Sequence, residues 1–210
     1  QALDLADILA VLYTDQLQLN PENPKDPERD RCFMSMGHYG LALYAALVEA
    51  GFLAEEELQT YAADNSCLPM SAMSTYTPGV EISGGSLGHG LPIALGASLA
   101  LTRQGKQQVV VNLLSDGELD EGSTWEAAKV AGDLAMGNLI AIVDVNGQQA
   151  DGPTRPGAGT TASATAHRFE SFGWIARDLD GHDIEALVSA LEDARASQDN
   201  KPHVLVCRTI

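Results

Sequence analysis

The sequence predicts an α/β fold, a parallel sheet covered by helices on both faces, and three observations carry that reading. Two apolar, β-branched runs, QVVVNLLS at 108–115 and NLIAIVDV at 138–145, are separated by one helical segment at 123–135. A strand, helix and strand of these lengths form a βαβ unit with parallel strands. Both runs are apolar at nearly every position, as expected of strands covered on each face. The alternation then repeats at the end of the chain, with WIARDL as strand, 184–197 as helix and HVLVCRTI as strand.

The remaining elements follow in order. A helix is expected over 3–17, ended by the Pro-rich stretch 20–27. The short apolar run CFMSMGH leads into a helix at 39–50, closed by Gly51. A further helix is expected to start at the AEEE of 54–57, where carboxylates meet the positive end of the helix dipole. Residues 65–90, rich in Ser, Met, Gly and Pro, read as loop, and LPIALGASLALTRQG as a buried helix of small residues ending near Gly105. Residues 147–166 carry neither a helix nor a strand pattern, and a loop of that length inside a domain is usually functional or mobile. No repeat or linker divides the chain, so 1–210 is expected to be a single domain.

Of the 210 residues, 45% are hydrophobic and 20% charged, an ordinary globular composition. Twelve basic against 29 acidic residues leave a net charge of −17, which repels phosphate backbones and anionic lipid and argues against nucleic-acid or membrane-surface partners. No apolar run approaches the roughly 20 residues of a membrane span. The opening QALDLADILAVLY has no basic segment of the kind that begins a signal peptide. Cys32, Cys67 and Cys207 are odd in number and widely spaced, which suits neither a disulfide framework nor a zinc site and implies a reducing, cytoplasmic setting.

Ligands of open parallel sheets bind beyond the carboxyl ends of the strands. Here those ends run into Asp116-Gly117-Glu118 and Asn146-Gly147-Gln148. One carboxylate, one amide oxygen and a main-chain carbonyl suit a hard cation such as Mg²⁺, with a diphosphate and water completing about six oxygen ligands. A cation backed by helix N-termini would also let so acidic a chain, without a GxxxxGK[ST] loop, hold a phosphate. His38, at a helix start, stands where a phosphate oxygen would be welcome. Each feature has a structural reading as well. Asp-Gly and Asn-Gly are turn dipeptides, Ser123 and Glu126 have capping-box spacing, and His182 lies in a turn before a helix.

Taken together, these residues resemble the thiamine-diphosphate-binding domain of the transketolase family, in particular the N-terminal subunit of split transketolases. The family's GDG, followed about 25 to 30 residues on by Asn, is matched by Ser115-Asp116-Gly117 and Asn146, 30 residues later. DRCFMSMGHYGLALYAAL, PGVEISGGSLGHGLPIALG, DGELDEGSTWEAA and IVDVNGQQADGPT match further family blocks in order. The resemblance implies that Asp116 and Asn146 bind the metal through their side chains and Gln148 through its carbonyl, with Mg²⁺ replaceable by Ca²⁺ or Mn²⁺. It implies that His38 meets the cofactor diphosphate and that Gly117 allows close approach to it. Gly85 and Leu87 would contact the cofactor, Leu87 by main-chain bonding to the aminopyrimidine. Glu121 and Glu126 would line a subunit interface linking two active sites.

The implied reaction is two-carbon ketol transfer from a ketose to an aldose, on sugar or sugar-phosphate substrates. The activating glutamate of the family belongs to a pyrimidine-binding domain that this sequence does not contain. The resemblance therefore implies a C-terminal pyrimidine-binding partner subunit, a heterotetramer, and no activity without the partner. Subunits of 2-oxo acid dehydrogenases and other thiamine-diphosphate acyl-transfer enzymes share the metal motif, and a non-catalytic cofactor-binding module is a third reading. Departures from the family pattern are specific. Ser115 replaces the first glycine of GDG, where its hydroxyl adds a hydrogen-bonding group, and LPMSAMSTYT replaces the GHP segment that carries a substrate-contacting histidine. The family's SGHPGG-type opening would precede Gln1, and a later histidine would follow Ile210.

Overall fold

Apolar character on both sides of the central strands fixes the architecture. The computed structural model describes residues 2–150, 152–154 and 161–209. In chain order its strands are β1 (Arg31–Met34), β2 (Val110–Ser115), β3 (Leu139–Val145), the two-residue arms β4 (Gln148–Gln149) and β5 (Gly152–Pro153), β6 (Ile175–Asp180) and β7 (His203–Arg208). Every residue of β2 is buried, and every residue of β3 but the last. The five longer strands form one sheet in the order β1-β2-β3-β7-β6, parallel throughout, while β4 and β5 pair antiparallel as a separate hairpin.

The helices are α1 (Ala6–Val11), α2 (Gly40–Glu49), α3 (Gly90–Arg103), α4 (Gly122–Asp133), α5 (Ala162–Ser171) and α6 (Ile184–Ala196). One group packs α1 against α2 and α6; the other packs α3 against α4 and β2, and α5 against β6 and β7. Sandwiched between them, β2 and β3 form the centre of the core, as the unbroken apolar runs predicted. Asp30 anchors the start of β1. Its buried carboxylate accepts from the backbone N–H groups of Gln18 (2.9 Å) and Val109 (2.8 Å) and pairs with Arg195 at 2.9 Å. Among the described residues no helix is long and apolar enough to cross a membrane, and all three cysteines are free thiols.

Three expectations need correction. Residues 55–60 form a 3₁₀ turn with no buried side chain, not an α-helix. Three adjacent glutamates, uncapped and without an apolar face, give an α-helix nothing to pack. The N-terminal helix changes type along its length, from a 3₁₀ turn (Ala2–Leu5) through α1 to a π turn (Leu12–Gln16), where Leu17 N–H bonds Leu12 O at 2.9 Å. The patternless stretch 147–166 contains the β4–β5 hairpin and the start of α5, although its residues 151 and 155–160 lie outside the described set. Helix α5 buries Ala162, Thr165, Ala166 and Phe169, spaced at i, i+3, i+4 and i+7. Only one of these four is large.

Candidate cation and diphosphate site

The carboxyl ends of β2 and β3 lie side by side, with Ser115 in register with Asp144. Just beyond them, Asp116 is almost wholly buried. Its N–H donates to Asp144 O at 2.8 Å, Oδ1 accepts from Gly117 N (2.9 Å), and Oδ2 accepts from Gly147 N (3.0 Å) and Thr154 Oγ1 (3.1 Å). Gly147 has φ of +71°, a left-handed turn that brings its N–H round to Asp116. The Asp116 carboxylate and the 146–148 turn are thus bonded neighbours.

The amide of Asn146 has a defined orientation. Its Nδ2 faces three oxygens: Tyr39 OH (2.8 Å), Asp144 Oδ2 (3.0 Å) and Asp4 Oδ2 (3.2 Å). The Tyr39 hydroxyl donates to Asp144 Oδ2 at 2.9 Å and Thr209 Oγ1 bonds Asp144 Oδ1, so the surrounding acceptors leave room only for a donor. Oδ1 therefore faces the turn, where it accepts from Gln148 N at 2.9 Å and keeps a second lone pair. The Gln148 carbonyl oxygen lies 3.6 Å from where a Cβ on Gly117 would stand. A carboxylate, an amide oxygen and a carbonyl thus sit on two adjoining, hydrogen-bonded segments, and oxygen donors of this kind suit hard divalent cations. Among the described residues no group of three or more His, Cys, Asp or Glu side chains forms a metal cluster; this junction has a single carboxylate.

The electrostatics of the junction are unbalanced. Asp4, Asp116 and Asp144 are buried close together, and among the described residues no Lys or Arg hydrogen-bonds to Asp116 or Asp144. Burial pushes Asp144 up to about 6 and raises Asp116 above the usual carboxylate range; the charges of Asp4 and Asp116 lift Asp144 further. Burial also pushes Glu118 up to about 7, against the pull of the Gly88 N–H. These acids ionise more readily in the unfolded chain, so they favour the fold least where both states are charged. The stability present near pH 4 should fall as pH rises through 6 to 7, by up to about 3 kcal/mol for each strongly shifted acid. Urea melts of the ligand-free protein at pH 5, 6 and 7.5 check this, and a midpoint that stays level or rises would contradict it.

The second half of the site adjoins the first. Gly37 and Gly84 touch backbone to backbone, a Cβ on Gly37 falling 2.7 Å from Gly84 O, and Gly85 N–H donates to Ser35 O at 2.8 Å. Exposed His38 and exposed Gly85 therefore flank one contact, with Leu87 half-buried two residues on. Although much of its side chain is exposed, partial desolvation of the ring lowers the His38 pKa and favours the neutral imidazole. The segment replacing GHP runs between these loops: Ala72 N donates to Gly37 O (3.3 Å) and Ala72 O accepts from Gly84 N (3.1 Å). Ser115 Oγ accepts from Glu118 N at 3.4 Å, so its hydroxyl is engaged in the following turn.

Neither interface candidate hydrogen-bonds to the oxygen junction. Glu121 is exposed, its Cβ crowding Gly88, and Glu126 is on the exposed face of α4. The capping-box reading of Ser123 and Glu126 does not hold. Glu121 occupies the N-cap, and Ser123 Oγ donates to Gly88 O at 2.7 Å. His182 does have a structural partner, Asp7, at 2.8 Å. Tyr39, Asp144, Asp4, Thr154 and Glu118 were missed in the sequence. Only Asp144, near the end of β3 and two residues before Asn146, carried a local signal.

A parallel α/β sheet with its polar cluster beyond the ends of adjacent central strands defines a ligand-binding domain of the open-sheet class. Comparison with known proteins makes this specific. Residues 1–210 match the family model described as transketolase, thiamine diphosphate binding domain. The chain belongs to the transketolase family. A putative uncharacterized transketolase family protein, y4mO of Sinorhizobium fredii, is 54% identical over 209 residues, 100% of this chain and 74% of that protein. The 6-deoxy-6-sulfo-D-fructose transketolase subunit SqwG of a Clostridium species is 37% identical, over 100% of this chain and 75% of its own length. The crystal structure of Campylobacter jejuni transketolase superimposes with a TM-score of 0.86 at 32% identity, covering 99% of this chain but 33% of that one. The chain thus spans about a third of the solved transketolase.

Proposed function

We propose that this chain is the thiamine-diphosphate-binding subunit of a split transketolase-like ketol transferase, working in the cytoplasm. Its coenzyme diphosphate would be held through Mg²⁺, with Ca²⁺ or Mn²⁺ as substitutes. The observation that carries the reading is the oxygen junction at Asp116, Asn146 and Gln148, beside the buried carboxylates of Asp116 and Asp144, to which no Lys or Arg side chain bonds among the described residues. In this reading the Asp116 carboxylate, Asn146 Oδ1 and the Gln148 carbonyl ligate the cation. Neutral His38 donates to a diphosphate oxygen, and Gly117, free of a Cβ, lets that group approach. Gly85 and the Leu87 backbone receive the rings. When bound, thiamine diphosphate supplies the carbon nucleophile for two-carbon transfer between sugars or sugar phosphates.

The chain itself would bind, orient and shield the coenzyme; Glu121 and Glu126 would face a C-terminal pyrimidine-binding subunit within a heterotetramer. The match to a relative named as a subunit supports this division of labour. So does the length relation to the solved transketolase, of which this chain spans about a third. The free cysteines, Cys67 only half-buried, suit a reducing compartment.

Isothermal titration of the purified chain should show thiamine diphosphate binding only when Mg²⁺ is present, and no ketol transfer until a pyrimidine-domain subunit is added. No binding at millimolar coenzyme with Mg²⁺, or transfer by the chain alone, would overturn the proposal.

A further inference from the structure

Glu118 is fully buried, yet the cation reading gives it no work. A buried carboxyl is costly to keep unless it holds something in place. Its Oε1 accepts the Gly88 N–H at 2.8 Å, and the Ser35 hydroxyl also faces the carboxyl and favours its charged form. Gly88, with φ of +81°, ends the loop that carries Gly85 and Leu87. Its carbonyl is held from the other side by Ser123 Oγ at 2.7 Å, and a Cβ there would lie 2.6 Å from Glu121 Cβ. Both peptide groups flanking this glycine are therefore gripped by the segment 118–123.

That segment is itself rigidly attached to the oxygen junction. It leaves Asp116 as a 3₁₀ turn (Gly117–Asp120) whose first N–H is capped by the Asp116 carboxylate. Trp125 Nε1 donates to Leu119 O at 2.7 Å and ties the turn back to α4. One short stretch of chain thus carries Asp116 at its start and grips the Gly85–Leu87 loop at its far end.

Resting on the function proposed above, we infer that Glu118, assisted by Ser123, is a positioning residue that sets the separation between the diphosphate half of the site and the ring-binding loop. It touches neither cation nor coenzyme. Its effect should therefore be felt by a ligand that spans both halves and not by one that occupies the first alone.

The test compares thiamine diphosphate with inorganic pyrophosphate, each titrated with saturating Mg²⁺ into the full chain. Glu118→Ala should weaken thiamine diphosphate by about tenfold or more while leaving pyrophosphate within about twofold. Hydrogen exchange at the Gly88 amide should speed up in the same variant. Glu118→Gln keeps an acceptor for that N–H and should restore both readouts. Ser123→Ala, which leaves no large buried cavity, should show the same selective loss in smaller measure and stands in if the Glu118→Ala protein does not fold. Equal weakening of both ligands, or of neither, overturns the inference. If the wild-type chain binds neither ligand, the cation reading fails first.

Discussion

Replacing Asp116 by Ala should reduce Mg²⁺-dependent thiamine diphosphate binding by about 100-fold or more. Two effects act together. The substitution removes the one carboxylate of the oxygen junction, and a unit charge near a cation at an effective dielectric of about 20 contributes on the order of 4 kcal/mol, where 1.4 kcal/mol is a factor of ten in affinity. It also frees the donors that Asp116 now holds, the N–H groups of Gly117 and Gly147 and the Thr154 hydroxyl. With Gly147 released, the turn presenting Asn146 Oδ1 and the Gln148 carbonyl loses its register. Asp116→Asn does not repair this, because its amide must point a donor at one of those three donors. Glu126→Ala, on the exposed face of α4, should leave binding to the isolated chain unchanged. Titration with and without EDTA, alongside circular dichroism to check the fold, decides the matter. An Asp116→Ala affinity within about threefold of wild type would remove the cation from the site.

The legible part of this site is the part written locally. Asp116 and Asn146 each follow an apolar strand and precede a glycine or its neighbour, so the rule that ligands gather beyond strand ends picks them out. The shell that orients them has no such signature. Asp4 meets Asn146 across 142 positions and Tyr39 meets Asp144 across 105, contacts that exist only once the 3₁₀ turns before α1 and α2 have packed against the end of β3. Ser123 shows how local spacing can mislead: it stands three residues before Glu126, yet its hydroxyl is spent on a loop 35 residues away. In the fold, β2, β3 and α6 were visible because large apolar residues repeat at the right period. Helix α5 was hidden because Ala and Thr fill three of its four buried positions, and such residues read equally well as loop.

Gly84→Ala should separate the two halves of the site without dismantling the sheet. A Cβ there falls 2.7 Å from Met34 O and 3.1 Å from both Gly37 N and Ser35 O, all backbone atoms that cannot rotate away. The φ of Gly84 lies outside the left-handed region, so the cost is contact and not conformation. Relief requires the loop to move outward, which stretches the bonds from Gly84 N to Ala72 O and from Gly85 N to Ser35 O. Overpacking and strained hydrogen bonds of this kind cost about 1–3 kcal/mol. Because the same displacement carries Gly85 and Leu87 away from His38, thiamine diphosphate affinity should fall by about tenfold or more. Gly96→Ala supplies the contrast. It lies within α3 with nothing within 4 Å of its added Cβ, so helix propensity alone should raise stability by about 0.5–1 kcal/mol with coenzyme affinity unchanged. Chemical denaturation and titration of the two variants side by side provide the check. If Gly84→Ala binds as wild type does, the close approach of β1's end to the 84–88 loop is not what aligns the coenzyme.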